Sequence, residues 1–412
     1  MSENIASFDD ALEIVLREAA HTGRGQTESK SLLDCTGRVL AEDLAADRDQ
    51  PPFARSARDG FAVRFAEATT GASLTVAGLI RAGEMWSGPP LASGTAIEIM
   101  TGAPVPEGAD AVVMVEHVEH PTPNQICLAD GRSVRQGENI VPRGCEARAG
   151  EAVLRAGTVL NAAEIALAAA CGRATLAVFR KPKVAIVATG DELVELDVAP
   201  APHQIRNSNS YALAALVAEN GGEAVRLPIA PDRREAVEDA IRQARECDLL
   251  LLSGGVSMGK YDLVEEVLLV LGAEFFFTGV KMQPGKPVVF GRLPKSEAAP
   301  VQYFFGLPGN PVSTQVTFHC FVAPLLRAMQ GAAVRTPQFT QATLGEDIAG
   351  KPNLMRVLPA LLTASRAKPE VKLVPWQGSG DLVANARANC YAVLPPDRER
   401  FAAGDVITVL LR

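Results

Sequence analysis

The stretch from Lys183 to about Gln330 constrains the fold most. Two apolar runs of strand length, KVAIVAT (Lys183–Thr189) and DLLLLS (Asp248–Ser253), show no alternation of apolar and polar residues. Continuous runs of this kind belong to strands covered on both faces, as in parallel sheets. Helical stretches at Tyr211–Asn220, Arg234–Glu246 and Leu263–Leu271 separate and follow them, with Ser208 to Ser210 as caps for the first. Strands at Val288–Gly291 and Tyr303–Leu307 come next, then a helix over Pro311–Ala328 with proline in its first turn. Strands alternating with helices predict a parallel α/β layer structure.

The flanks have a different texture. Phe8 to Ala20 reads as an amphipathic helix capped by Ser7, with Phe8, Leu12, Val15, Leu16 and Ala19 on a stripe suited to core or subunit packing. Gly23–Gly25 ends it, and a short second helix is expected around Ser31–Asp34. After Pro51-Pro52, short β-like runs at Ser73–Ile80, Thr95–Met100, Ala111–Val118 and Gln125–Leu128 predict a small β-rich domain. Thr158–Cys171 is Ala-rich and helical, and Lys181-Pro182 marks a boundary. Beyond Thr336, runs at Leu358–Thr363, Val371–Val374, Ala392–Leu394 and Val406–Leu411 suit a small β-barrel or sandwich.

Composition excludes several classes. A chain of 412 residues is long enough for two to four domains. Forty basic against 48 acidic residues give a formal charge of −8, and no Lys/Arg-rich run stands out. Binding of nucleic acid through phosphate neutralisation is therefore not expected. No segment approaches the ~18 consecutive apolar residues of a membrane span, and the acidic N-terminus is unlike a targeting peptide. Seven scattered cysteines without a C-x-x-C pair argue against a disulfide framework or zinc cluster and for a reducing cytoplasm.

Four loops at expected strand ends carry the chemistry, because ligands of open α/β sheets bind beyond the carboxyl ends of strands. Thr189, Gly190, Asp191 and Glu192 form a turn that sets carboxylates at the first strand end. Ser253, Gly254, Gly255, Ser257, Lys260 and Asp262 lie in a Gly-rich loop suited to an anion, although it is neither a Walker A nor a G-x-G-x-x-G motif. Gln283–Pro287 (QPGKP) presents Lys286. In Leu307–Ser313 (LPGNPVS), Pro308, Gly309, Asn310 and Pro311 form a rigid turn that begins a helix carrying Ser313. Together the four loops make a phosphate- or oxyanion-binding rim. Arg55–Ala62 and Thr101–Pro106 are a further pair of motifs, though Asp59-Gly60 alone reads as a turn. His117 and His120 would point to opposite faces of a strand and do not form a metal pair.

These motifs, in order, are P-P-F…S-A-x-D-G-F-A, T-G-A-P-V-P-x-G-A-D-A-V-V, V-A-I-V-A-T-G-D-E-L, Q-I-R-N-S-N, L-L-S-G-G-V-S-M-G-x-Y-D, P-G-K-P-V, L-P-G-N-P-V-S and G-S-G-D. Over nearly the whole chain they resemble the molybdopterin molybdenumtransferase family, to which the E domain of gephyrin is similar. The resemblance implies a multidomain α/β plus β protein. A helical linking domain (residues 1–50 and 140–180) would flank a β-rich domain (51–139), followed by a molybdopterin-binding-like α/β domain (181–330) and a C-terminal β-barrel (331–412).

The implied reaction joins molybdate to adenylylated molybdopterin, releasing AMP with the help of Mg²⁺. The implied protein is a cytoplasmic homodimer that meets the adenylyltransferase and recipient molybdoenzymes, with no nucleic-acid or membrane partner. Asp59, Thr101, Glu146, Glu192, Asp232 and Asp262 match positions important for activity, the last three as Mg²⁺ ligands. Lys286, Ser313, Arg356 and Ser379 match positions associated with molybdate. Ser208 and Asn209 fall in the substrate-binding Q-I-R-N-S-N block. Rival readings are an adenylyltransferase, a non-catalytic gephyrin-like scaffold, and delivery of tungstate. The chain departs from the family at Ala54-Arg55, Arg58, Phe61 and Cys145. At Gln283 a frequent lysine is missing, which removes a positive charge near the expected oxyanion.

Overall fold

A computed structural model describes residues 4–22, 25–255, 263–294, 301–333, 336–363 and 368–412. The chain forms two compact units, one of Met1–Ala41, Gly157–Asn161 and Leu176–Arg412, the other of Glu42–Ala156 and Ala162–Thr175.

The larger unit is organised around a six-stranded sheet. Its order is Glu223–Arg226, Lys183–Ala188, Leu249–Ser253, Gln302–Leu307, Val289–Leu293, Glu274–Phe277. The first four strands are parallel; Val289–Leu293 runs against them, and the edge strand Glu274–Phe277 pairs antiparallel with it. The parallel α/β layer expected from the sequence is present in those four strands, and the sheet as a whole is mixed. No helix lies between the Glu274–Phe277 and Val289–Leu293 strands, and a parallel crossover needs a dozen or more residues, usually helical.

Burial explains the continuous apolar runs. Val184, Ile186, Leu249 and Leu251 enter one core with helix Pro311–Thr317 and its continuation, while Ala185, Val187, Leu250 and Leu252 enter another with helices Arg234–Ala244 and Leu263–Val270. Each fully buried leucine contributes roughly 1.5–3 kcal/mol.

The N-terminal helix Phe8–His21 has its predicted cap, Ser7 Oγ accepting from Asp10 N at 3.1 Å. Its stripe is core: Phe8 meets Phe321 at a centroid distance of 5.6 Å. The expected single helix over Pro311–Ala328 passes through a π-helical segment, Phe318–Val322, before resuming at Ala323–Met329. Pro324 has no N–H to donate to a preceding carbonyl, which favours the wider turn. Asn207 rather than a serine caps helix Ser208–Glu219, its side chain accepting from Ser210 N.

The same unit ends in a barrel. Strands Phe339–Leu344, Met355–Thr363, Glu370–Leu373, Cys390–Leu394 and Val406–Leu411 form one sheet, closed by pairing of Met355–Thr363 with Cys390–Leu394. Leu358, Ala360, Ala392, Leu394, Ile407 and Val409 fill it. Met282–Gln283 joins as a parallel edge on Met355–Arg356.

The smaller unit holds a second six-stranded sheet, in the order Ala111–Met114, Gly60–Val63, Thr95–Ile99, Ser73–Ile80, Gln125–Leu128, Val118–Thr122. The expected strand to Val118 stops at Met114, and a 3₁₀ turn over Val115–His117 intervenes. The helix expected over Thr158–Cys171 forms only over Ala162–Ala170; in the larger unit, Val159 instead makes a bridge to Val39. Near Ser31–Asp34 the helix is a 3₁₀ turn, Leu33–Cys35.

Candidate functional site

The Lys183–Ala188 and Leu249–Ser253 strands are neighbours whose following connections run to opposite sides, a topological switch point where α/β sheets bind ligands. At their carboxyl ends Thr189 N donates to Ser253 O at 3.0 Å. Thr189 is buried, yet its hydroxyl has no partner among the described residues. Glycine is obligatory in the adjoining loop. A Cβ on Gly254 (φ +90°) would stand 2.4 Å from Thr189 O, and one on Gly255 (φ +64°) 2.7 Å from Thr189 Oγ1.

The Leu307–Ser313 loop is tied to the Ser253 strand end. Asn209 Nδ2 donates to Ser253 Oγ at 3.0 Å and to Gly309 O at 2.7 Å, so one amide links the first turn of helix Ser208–Glu219 to two strand ends. Its Oδ1 is left without a partner, as are Asn207 Nδ2 and Ser210 Oγ. Asn207, which the sequence reading did not single out, lies beside Asn209; an Asn directly before a helix was the available signal.

The acidic members gather on one side. Thr189 bridges Ala230, which brings Asp232 alongside the T-G-D-E turn, and Asp232 N donates to Asp191 Oδ1 at 3.1 Å. Lost hydration, then the charges of Asp191 and Glu192, raise the Asp232 carboxyl above its ordinary range. The Glu192 carboxylate folds over Gly190, where a Cβ would meet it at 2.6 Å. Among the described residues no three His, Cys, Asp or Glu side chains converge as a metal site. Asp262, like Ser257 and Lys260, lies outside the described residues.

A second group lies along helix Pro311–Thr317, Ser379 at its start and the QPGKP loop at its end. Val312 N donates to Ser379 O at 2.9 Å, placing Ser379 beside Ser313. The QPGKP loop packs on the same helix, since a Cβ on Gly285 (φ +109°) would touch Thr317 Cγ2 at 2.5 Å. Lys286 is exposed there. Gln283 and Arg356 are register partners on adjacent strands, and Gln283 Oε1 and Arg356 Nε are both buried without partners. Burial lowers the Arg356 pKa from its ordinary value. The loop from Pro308 to Ser313 therefore belongs to both groups: Asn209 holds its first half and Ser379 its second.

In the smaller unit Asp59, Thr101 and Glu146 sit on stitched turns. Asp59 Oδ1 accepts from Thr101 N at 2.6 Å and from its hydroxyl at 2.7 Å. The backbone bond first, then the hydroxyl, hold the Asp59 carboxyl below the usual carboxylate range. Arg55 Nη2 lies 3.2 Å from Glu146 Oε1. Gly60 is fixed by a close approach, with a Cβ falling 1.9 Å from Val113 O. His120 packs edge-on against Phe61 at 5.9 Å, in keeping with an ordinary role for that histidine.

Three family models match this arrangement from end to end: the MoeA N-terminal region (domain I and II) over residues 6–172, a probable molybdopterin binding domain over 185–328, and the MoeA C-terminal region (domain IV) over 341–411. A molybdopterin molybdenumtransferase of a Nostoc species is 36% identical over 93% of this chain and 88% of its own length. The chain belongs to the molybdopterin molybdenumtransferase family. A Haemophilus influenzae member is 34% identical, with 93% of each chain covered. The crystal structure of a molybdopterin biosynthesis MoeA protein from Pyrococcus horikoshii superposes with a TM-score of 0.80 at 30% identity, covering 99% of this chain and all of that one. The protein is thus a transferase of molybdenum cofactor biosynthesis that acts on molybdopterin. No helix among the described residues is long and apolar enough to cross a membrane.

Proposed function

We propose that this molybdotransferase inserts molybdate into adenylylated molybdopterin and releases AMP. One observation carries the reading: the Pro308–Ser313 loop is held from one side by Asn209 of the phosphate-suited rim and from the other by the Ser379 carbonyl, which accepts from Val312 N. A nucleotide-bearing substrate and a tetrahedral oxyanion would then meet across one rigid turn.

The residues divide the work by type. Thr189 Oγ1, a buried hydroxyl without a partner among the described residues, suits a phosphate beside the glycine backbone of Gly190, Gly254, Gly255 and Gly309 and the Ser253 hydroxyl, while the Asn209 amide, donating to Ser253 and Gly309, holds the rim in shape. Lys286, Arg356, Ser313 and Ser379 suit molybdate, a dianion that favours fixed cations and hydroxyls. Asp59, Thr101 and Glu146 of the smaller unit are further residues for the reaction, and the active protein is a cytoplasmic homodimer. Splitting the bond to AMP calls for charge neutralisation more than a protein nucleophile.

Asp191, Glu192 and Asp232 lie at one strand end, where lost hydration and then like charge raise the Asp232 carboxyl; hard oxygens are the donors Mg²⁺ takes, although these three do not converge as a metal site by themselves among the described residues. With Asp262 they would hold the ion, which would neutralise charge on the phosphates. Protein incubated with adenylylated molybdopterin, Mg²⁺ and molybdate is expected to release AMP, and release that ignores molybdate overturns the proposal. Competition with tungstate in the same assay reports the oxyanion preferred.

A further inference from the structure

The two hydroxyls assigned to the oxyanion stand on separate segments of the larger unit. Ser313 lies in helix Pro311–Thr317, and Ser379 in the G-S-G-D turn just before the short helix Leu382–Arg387. That turn is closed by Asp381, whose carboxylate accepts from Ala384 N and from Gln377 N, each at 3.0 Å. The bond from Ala384, then that from Gln377, hold the Asp381 carboxyl below the usual carboxylate range. At its other end the short helix is anchored by Arg412, Nη1 donating to Asn385 O at 2.7 Å and to Ala388 O at 2.8 Å.

One buried bond joins the two helices. Asn385 Nδ2 donates to Gln315 Oε1 at 2.9 Å, and the two side chains are only 1% and 8% exposed. Gln315 follows Ser313 by two residues, roughly 200° round a helix of 3.6 residues per turn, so the bond grips the helix from the side away from the Ser313 hydroxyl. A helix of six residues is too short to persist alone in water, where even favourable sequences need roughly 12–15. Its tertiary bonds must fix it. Apolar packing keeps two elements close, whereas a satisfied buried polar pair also sets their register. The Pro308–Ser313 loop is rigid from within, since the Thr314 hydroxyl donates to Pro308 O at 2.5 Å. What is left to fix is the spacing between that loop's helix and the Ser379 turn, and the Asn385–Gln315 bond spans it together with Val312 N donating to Ser379 O.

We propose that Asn385 is a positioning residue for the molybdate step: by holding Gln315 it sets the separation of the Ser379 turn and the Ser313 helix, and with it the geometry of the two hydroxyls that meet the oxyanion. The proposal rests on the assignment of those hydroxyls to molybdate. A compact dianion shared between two segments needs them at one separation, so loosening the bond weakens molybdate first. The rim for the pterin nucleotide is held by other bonds, those of Asn209 to Ser253 and Gly309. A bond that served stability alone would affect both substrates alike.

Steady-state AMP release by the full chain tests this, with molybdate and adenylylated molybdopterin varied in turn. Asn385→Leu, close in size but unable to donate, should raise the KM for molybdate at least about tenfold and leave that for the pterin nucleotide unchanged, since even a ~1 Å misplacement is costly. Gln315→Leu removes the same bond from the other side and should match it. The double variant should be no worse than either single one, the sign of a shared interaction. Val409→Ala, which opens space in the barrel core, should lower the melting temperature without moving the KM for molybdate. Ser379→Ala separates the two layers of inference. A raised molybdate KM there, with wild-type values in Asn385→Leu and Gln315→Leu, overturns the role of Asn385 alone. An unchanged molybdate KM in Ser379→Ala overturns the hydroxyl assignment and the role of Asn385 with it. Additive losses in the double variant, equal losses for both substrates, or a matching rise in Val409→Ala also overturn the proposal.

Discussion

The rim of the central sheet and the Arg55–Thr101 turns of the smaller unit look alike in sequence: both are short Gly-containing motifs with hydroxyl and acidic residues. Their hydrogen-bonding states are opposite. The turns satisfy themselves, with Asp59 taking both donors of Thr101 and Ser56 Oγ bonding Arg58 at both its carbonyl and its N–H. The rim leaves Thr189 Oγ1, Asn207 Nδ2, Asn209 Oδ1 and Ser210 Oγ buried and unpaired. An unmade buried hydrogen bond costs roughly 1–3 kcal/mol. Such groups persist where a ligand supplies the partner, whereas a closed network serves first to hold backbone in shape.

The largest expected effect comes from closing the rim. Gly254→Ala drives a Cβ toward Thr189 O and should lower molybdenum transfer at least about a hundredfold with the fold intact by circular dichroism, since a ~1 Å misplacement can cost that much. Activity near wild type would place the site elsewhere.

Next comes His319, another unsatisfied group of the larger unit. Burial, then the cations Arg412 and Arg327, lower its pKa from the ordinary 6.5 to about 4, so the folded chain binds fewer protons than the unfolded one between those values. Stability from this residue is complete above pH 6.5 and is lost as pH falls through 4, by about 3 kcal/mol. Denaturant titrations across that window should show a shallower acid loss in His319→Gln.

Lys286→Ala and Arg356→Ala should each raise the KM for molybdate about tenfold, the weight of one charge-assisted hydrogen bond, while leaving affinity for the pterin nucleotide unchanged. Equal losses for both substrates would merge the two groups of the larger unit into one.

The smallest effect separates structure from chemistry in the turns. Asp59→Ala should lower the melting temperature slightly, and Asp59→Asn should recover it, because an amide oxygen still accepts from Thr101. If Asp59→Asn recovers stability but not activity, the carboxylate itself acts in the reaction.

Much of the fold was legible in periodicity. Runs such as Ser73–Ile80, Gln125–Leu128 and Val406–Leu411 are strands with the bounds expected, because turn residues delimit them. Glu223–Arg226 and Glu274–Phe277 went unread. Both are four-residue edge strands, too short to show a period. The antiparallel edge was equally invisible, since strand direction depends on which neighbour a connection can reach.

Taken alone, the order of residues determined the chemistry on offer: apolar strand runs, glycines where backbone must pass close, and hydroxyls, carboxylates and cations beside them. That is local information, carried by steric limits and side-chain type. Only the tertiary structure decided who meets whom. Register set Gln283 against Arg356, one Asn209 amide joined two strand ends, and Asn385 came to bond Gln315, 70 residues earlier in the chain. Pairings across such separations follow from sheet order and helix packing, which no single segment encodes.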